Sequence, residues 1–136
     1  MREPTQITIN EQDWLRLEKM LSQVPLSPYR EWLETELDRA RVVPATAVKP
    51  GLVTMNSTVR YRDESTGKEK EVTLVYPEEA DMQSGKVSVL APVGAALIGL
   101  SVGQVIEWKM PDGRNKTLRV CEVLYQPENS KLVCNQ

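Results

Sequence analysis

The chain has 136 residues, 40% of them hydrophobic and 26% charged, with 17 basic and 19 acidic side chains for a net charge of −2. That length closes one ordinary core, or a small domain with an appendage, and excludes two large lobes. There is no histidine, which excludes a Ser-His-Asp or Cys-His nucleophile pair, a His-ligated zinc and a phosphohistidine intermediate. Mild acidity without a Lys/Arg-rich block argues against direct nucleic-acid binding.

The two cysteines, Cys121 and Cys134, fit no zinc or Cys-x-x-Cys spacing and read as one strand cysteine and one tail thiol. No apolar stretch follows Met1-Arg2-Glu3-Pro4-Thr5, and the longest, Val93 to Val102, is about half a membrane span and is interrupted by Gly94, Gly99 and Ser101. A cytoplasmic location with reduced thiols and no membrane contact is expected.

Thr5 to Ile9 alternates polar and apolar residues and predicts a short strand or extended arm. Asn10 then stands at a helix N-cap with Asp13 at the third position. Trp14, Leu17, Leu21 and Val24 recur at helical spacing and predict a helix of about 14 residues. Ser27-Pro28 repeats the start signal, a hydroxyl cap before a proline whose missing N–H costs nothing in the first turn. The second helix runs to about Arg41 with Tyr29, Leu33, Leu37 and Ala40 on its seam and Trp32 beside it. Only Val24-Pro25-Leu26 separates the two, so they fold back as an αα-hairpin with arms of roughly 20 Å. The three aromatics lie on or beside the seams, without alternating basic residues, and read as core rather than as a base-stacking platform.

Residues 42–51, VVPATAVKPG, carry two prolines, a glycine and no helical period, and read as a semi-rigid linker. Beyond it the period becomes two. Val53, Met55, Val59 and Tyr61 share one phase, Asp63 to Lys70 is a polar turn, and Val72, Leu74 and Tyr76 resume the alternation. Lys86 to Val89 predicts a third strand, Pro92 to Ile98 a short apolar helix stopped by Gly99, and Ile106 to Met110 a fourth strand. The Pro111-Asp112-Gly113 turn leads into a last strand, Lys116 to Tyr125. Its apolar phase switches between Val120 and Cys121, which predicts a β-bulge near residue 120. Five short strands with one embedded helix describe an antiparallel sheet with the helix on one face.

Two segments could carry function. Glu78, Glu79 and Asp81 follow a strand directly; they could meet a basic partner surface, hold Mg²⁺, or form a solvated loop. The stretch from Ala91 to Gly99 is unusually apolar and small, fitting a central helix under a sheet whose first turn could still face a partner. The hairpin tip offers an apolar point at Val24-Pro25-Leu26, and no carboxylate lies between Lys19 and Arg30, so the tip cannot present a metal to a distant site.

The run VTLVYPEEADMQSGKVSVLAPVGAALIGLSVGQVIEWKMPDG resembles the C-terminal domain of the Gre transcript-cleavage factors in its strand, acidic loop, proline-led helix and glycine turns. VTMNSTVRYR and LAPVGAALIGL resemble more closely still the Rnk family, regulators of nucleoside diphosphate kinase, which joins a Gre-like domain to a shortened helical N-terminus. The resemblance implies an FKBP-like fold from about Val53 to Tyr125 and docking at the secondary-channel rim of bacterial RNA polymerase. Gre factors grip the polymerase through a Ser-x-Asp-Ser-Pro motif; the matching positions here are Ser88, Leu90, Ala91 and Pro92, which keep the serine and proline and lose the acid.

The expected architecture is therefore α+β, with an arm and αα-hairpin over 1–41, a linker over 42–51 and an FKBP-like antiparallel sheet packed on a short helix over 52–136. The expected function is that of a non-catalytic RNA polymerase-binding regulator without transcript-cleavage stimulation. Ser88, Leu90, Ala91, Pro92 and Val93 are the expected contacts, with Glu78, Glu79 and Asp81 as an acidic rim, and no cofactor or metal. The second reading is action on nucleoside diphosphate kinase by contact or through gene expression. Peptidyl-prolyl isomerisation ranks third, because the chain has no phenylalanine and only Tyr61, Tyr76, Trp108 and Tyr125 after the linker to build an aromatic pocket.

Overall fold

The computed structural model describes residues 6–109 and 113–129, apart from the side chains of Tyr29, Trp108 and Lys109. Pro111 and Asp112 of the expected turn and the Cys134 thiol lie outside the described residues.

The short first strand, β1 (Thr8–Asn10), runs straight into helix α1 (Glu11–Leu21). The Asn10 side chain caps it by accepting the backbone N–H of Asp13 at 2.7 Å. The helix stops earlier than its apolar period because Ser22 closes it: the Ser22 hydroxyl donates to the Lys19 carbonyl at 2.6 Å and its N–H to Glu18. Ser27 caps helix α2 (Pro28–Asp38) by accepting the Arg30 N–H at 3.1 Å, with Pro28 in the first turn. This helix also ends before Arg41, since residues Arg41–Val43 leave it to form β2, which pairs in parallel with β1. Arg41 N–H donates to the Ile7 carbonyl at 2.8 Å. The Trp14 indole N–H donates to the Leu37 carbonyl at 3.0 Å and so joins the two helices.

The main sheet contains β3 (Thr58–Asp63), β4 (Glu69–Val75), β5 (Lys86–Ser88), β6 (Val105–Lys109) and β7 (Asn115–Tyr125), in the order β5-β4-β3-β7-β6. Its pairings are antiparallel except one. The sheet is mostly antiparallel, as its alternating strands and tight turns predict, but β5 lies parallel to β4 with Thr73 opposite Lys86 and Val75 opposite Ser88. A tight reversal after Val75 is blocked by Tyr76, buried and extended before Pro77. The chain instead crosses over through two 3₁₀ turns, Pro77–Glu79 and Met82–Ser84, and re-enters beside β4 in the same direction.

The expected bulge in β7 is present, and there are two. Cys121 is skipped between the pairs Arg60–Glu122 and Tyr61–Val120, and Leu124 between Thr58–Tyr125 and Val59–Val123. The first keeps Val120 and Val123 on the apolar face with Tyr61 and Val59, and the second turns Tyr125, 49% exposed, to the other side opposite Thr58. The opposite face is laced by ion pairs: Arg60 to Glu69 and Glu122 at 3.4 and 2.8 Å, and Arg62 and Arg119 to Glu64 at 2.7 and 3.4 Å.

Helix α3 (Pro92–Leu97) lies in the core with Ala95, Ala96 and Leu97 buried. The hairpin packs onto the same core: Leu17, Leu21, Leu33 and Leu37 join Val53, Met55, Val59, Leu74 and Tyr76 in one apolar cluster. Backbone bonds fasten the join, with Thr8 N–H to the Gly99 carbonyl at 3.2 Å and Gly99 N–H to Val53 at 3.0 Å. Gly99, at φ +80°, is required twice over, because a Cβ there would sit 2.5 Å from that of Ile7.

Candidate partner-docking site

The residues Ser88, Leu90, Ala91, Pro92 and Val93 form one continuous corner from the end of β5 into the first turn of α3, all half-buried. The corner is built tightly. The Ser88 hydroxyl accepts the Leu90 N–H at 3.0 Å and the Ser88 carbonyl accepts that of Ala91 at 3.0 Å. Gly94 lies so close that a Cβ would come within 2.1 Å of the Ser88 carbonyl oxygen. Leu90 and Val93 lean on the core, leaving Ala91 and Pro92 as the turn between them. The corner offers shape and backbone, with no charge of its own.

Glu78, Glu79 and Asp81 lie on the β4–β5 crossover, whose first 3₁₀ turn packs against β5, and all three are exposed. Asp81 is committed locally: its carboxylate accepts the Ser84 hydroxyl at 2.8 Å and the Gln83 N–H at 3.1 Å. The Ser84 bond holds its titration below the usual aspartate value. Glu78 and Glu79 stand exposed beside it. Met82, beside them, is 83% exposed. Among the described residues no three acidic or cysteine side chains gather as a metal site.

Two groupings escaped sequence reading. One joins α1 to the end of the chain. Asp13 Oδ2 accepts the Met55 N–H at 3.1 Å and the Asn10 amide at 3.2 Å. The Asn10 amide also reaches Glu128, which accepts the Thr54 hydroxyl at 2.7 Å. Burial, opposed by the Met55 bond and reinforced by the Glu128 charge, raises Asp13 to about 6. Burial and then the Asp13 charge push Tyr76 above the ordinary tyrosine range, with the Arg16 guanidinium 4.0 Å over its ring. Asn10 and Asp13 were visible as a cap, but the distance of Glu128 in sequence concealed their partner.

The second grouping is a pocket with lysines at its rim, next to Val93. Its signal was present in the strand phases: Lys70 precedes Val72 and Leu74, and Lys116 precedes Leu118 and Val120, so each apolar phase ends on a lysine.

Comparison with known proteins divides the chain in two. Residues 48–125 match the family described as transcription elongation factor, GreA/GreB, C-term, and residues 5–43 match the Rnk N-terminus. The regulator of nucleoside diphosphate kinase of Escherichia coli strain K12 is 42% identical over 130 residues, covering 94% of this chain and 95% of that protein. The transcription elongation factor GreA of Thermodesulfovibrio yellowstonii is 42% identical over 79 residues, 58% of this chain and 50% of that one. A solved structure, the prokaryotic transcription elongation factor GreA/GreB from Nitrosomonas europaea, superposes with a TM-score of 0.74 at 47% identity, covering 90% of this chain and all of that one. These relatives are named as regulators or elongation factors. Among the described residues no helix is long and apolar enough to cross a membrane.

Proposed function

The chain belongs to the Rnk family, a Rnk N-terminus joined to a GreA/GreB C-terminal domain, and from that premise we propose that it is a non-catalytic regulator that binds RNA polymerase at the secondary-channel rim. The contact is assigned to the corner Ser88, Leu90, Ala91, Pro92 and Val93, with Glu78, Glu79 and Asp81 as its acidic border. One observation carries the reading: a Gre-type domain is retained while the hairpin attached to it is short. Its helices have 11 residues each, about 16 Å at 1.5 Å per residue, and they pack on the core. The tip, with Leu26 74% exposed, holds no carboxylate between Lys19 and Arg30. A hairpin this short, without metal ligands at its tip, supports the part of the reading that has no cleavage stimulation.

The test is retention of core RNA polymerase by the immobilised chain, repeated with a Gre factor as competitor, beside a transcript-cleavage assay. Retention that the Gre factor abolishes, with no cleavage stimulated, supports the reading. Pro92→Glu, an exchange tolerated in a first helical turn, is expected to weaken retention while the far-ultraviolet spectrum stays unchanged. Undiminished binding by that folded variant would remove the corner from the proposal, and absence of retention would remove polymerase.

The name carried by the Escherichia coli relative favours a second reading, contact with nucleoside diphosphate kinase. Without histidine the chain cannot perform phosphohistidine transfer itself. A complex with the purified kinase in size-exclusion chromatography would support direct regulation, and its absence would leave gene expression as the route.

A further inference from the structure

We propose that the pocket at the open end of the sheet's apolar face is a docking socket for an acidic peptide segment of a protein partner. One large apolar side chain would enter it, and flanking carboxylates would meet Lys68 and Lys70. The proposal goes beyond polymerase docking and does not depend on it.

The socket follows from strand register. Tyr61 stands opposite Lys70 on β4 and Val120 on β7, and Asp63 opposite Leu118. Directly paired residues of antiparallel strands share a face. Residues two apart along one strand share it too, which adds Lys116 to the same surface. The face is therefore apolar where α3 covers it and becomes charged at its far end. There a cavity of about 200 Å³ remains, with Tyr61, Val93 and Leu118 as its apolar lining and Lys68, Lys70 and Lys116 around it.

The charges at the rim are unbalanced. Asp63 is the carboxylate of the pocket, and its oxygens are engaged. One accepts the Ser65 N–H at 3.0 Å and hydroxyl at 2.6 Å, and the other pairs with Lys116 at 3.7 Å. The Ser65 hydrogen bond, with Lys116 nearby, holds its titration below the usual aspartate value. Lys68 and Lys70 make no ion pair among the described residues, in contrast to the matched arginines on the opposite face. Two uncompensated ammonium groups beside an apolar hollow select an occupant that is both anionic and apolar.

Size then decides between kinds of occupant. The volume lies below the roughly 300–1,000 Å³ of small-molecule sites, and suits a single large side chain. An apolar anchor in a pocket with charges around it is the common form of a protein-recognition hot spot.

The experiment uses the full chain, isotopically labelled, titrated with a synthetic peptide carrying one central phenylalanine flanked by glutamates. The controls are the same peptide with alanine at the centre, a lysine-flanked version and inorganic phosphate. The expected result is saturable binding with resonance shifts at Tyr61, Val93 and Leu118, weakened by salt. Binding should fall about tenfold or more, equivalent to about 1.4 kcal/mol, in the doubly substituted Lys68→Glu, Lys70→Glu chain. Both lysines are exposed, so that chain should keep its fold, which its amide spectrum verifies.

Absence of saturable binding overturns the proposal, as does binding that the double substitution leaves unchanged. Equal binding of the alanine peptide, or displacement by phosphate alone, would make this a simple anion site and overturn the socket. Concentration-dependent self-association abolished by the double substitution would assign the socket to a second copy of the chain and overturn a foreign partner.

Discussion

Asp13→Asn should stabilise the protein near neutral pH and flatten its stability against pH. In the fold Asp13 is raised to about 6, from an ordinary 3.8. The folded state therefore binds a proton more readily than the unfolded chain between those values. Stability from this group is fully present below the unfolded value of 3.8 and is lost as pH rises through about 6. The difference of about 2.2 corresponds to about 3 kcal/mol at 1.36 kcal/mol per pKa unit, an upper bound for the penalty at pH 7 and above.

Asparagine carries no charge at any pH, and its carbonyl can still accept the Met55 N–H. Its NH₂ can donate to the nearby Glu128 carboxylate. Some hydrogen-bond strength is lost with the charge, so about 1–2 kcal/mol of net stabilisation is expected at pH 7.5, or about 3–6 °C in Tm for a chain of this size. At pH 4 the advantage should vanish. The assay is urea unfolding followed by circular dichroism across pH 4 to 8, with a carboxyl NMR titration of Asp13. The lowered titrations of half-buried Asp63 and of exposed Glu64 and Asp81 act in the opposite direction and are common to both proteins, so they cancel in the difference. A parent-minus-variant difference that does not change with pH, or a variant less stable than the parent at pH 7.5, would refute the reasoning.

Gly94→Ala should cost about 3 kcal/mol or more, because the new methyl meets the Ser88 backbone at 2.1 Å rather than a side chain that can swing away. A loss under about 1 kcal/mol in urea unfolding would contradict that packing. Leu37→Ala, at 1% exposure, should cost about 2–5 kcal/mol. Helical and near-ultraviolet signals should still melt together, whereas a hairpin melting ahead of the sheet would contradict the shared core. Gln126→Ala removes two amide donations, to the Lys49 and Leu52 carbonyls at 2.7 and 2.8 Å. A loss of about 1–3 kcal/mol and faster hydrogen exchange near residues 48–53 are expected; unchanged exchange would show that this tie does not hold the segment.

Much of the fold was legible because its signals are local. Asn10 and Ser27 cap helices wherever they precede an apolar period, and the two-residue alternation around Val59 and Leu74 needs no partner to be read. The phase switch at Cys121 betrayed a bulge, since an inserted residue must show in the pattern of the strand that carries it. The corner 88–93 was reached through resemblance, and its tight geometry, with Gly94 against Ser88, is visible only in three dimensions. The parallel setting of β5 was not legible: a crossover and a hairpin can use the same residues, and the buried Tyr76 decided between them. The lysine socket stayed hidden because Lys68, Lys70 and Lys116 come from separate strands and turns.

The sequence by itself determined the elements, their inner faces and the chemistry that is absent. It holds no histidine for phosphohistidine or His-based nucleophile chemistry, and no carboxylate between Lys19 and Arg30 at the hairpin tip. Only the tertiary structure decided that the hairpin lies on the Gre-like domain, with Gly99 against Ile7 and four leucines entering the common core. Only it placed Asp13 beside Glu128, 115 positions away, where burial raises a titration that no local pattern foretells. The division has one physical cause: capping and periodicity act within a few residues, whereas desolvation, charge proximity and packing depend on chain segments that meet only after folding.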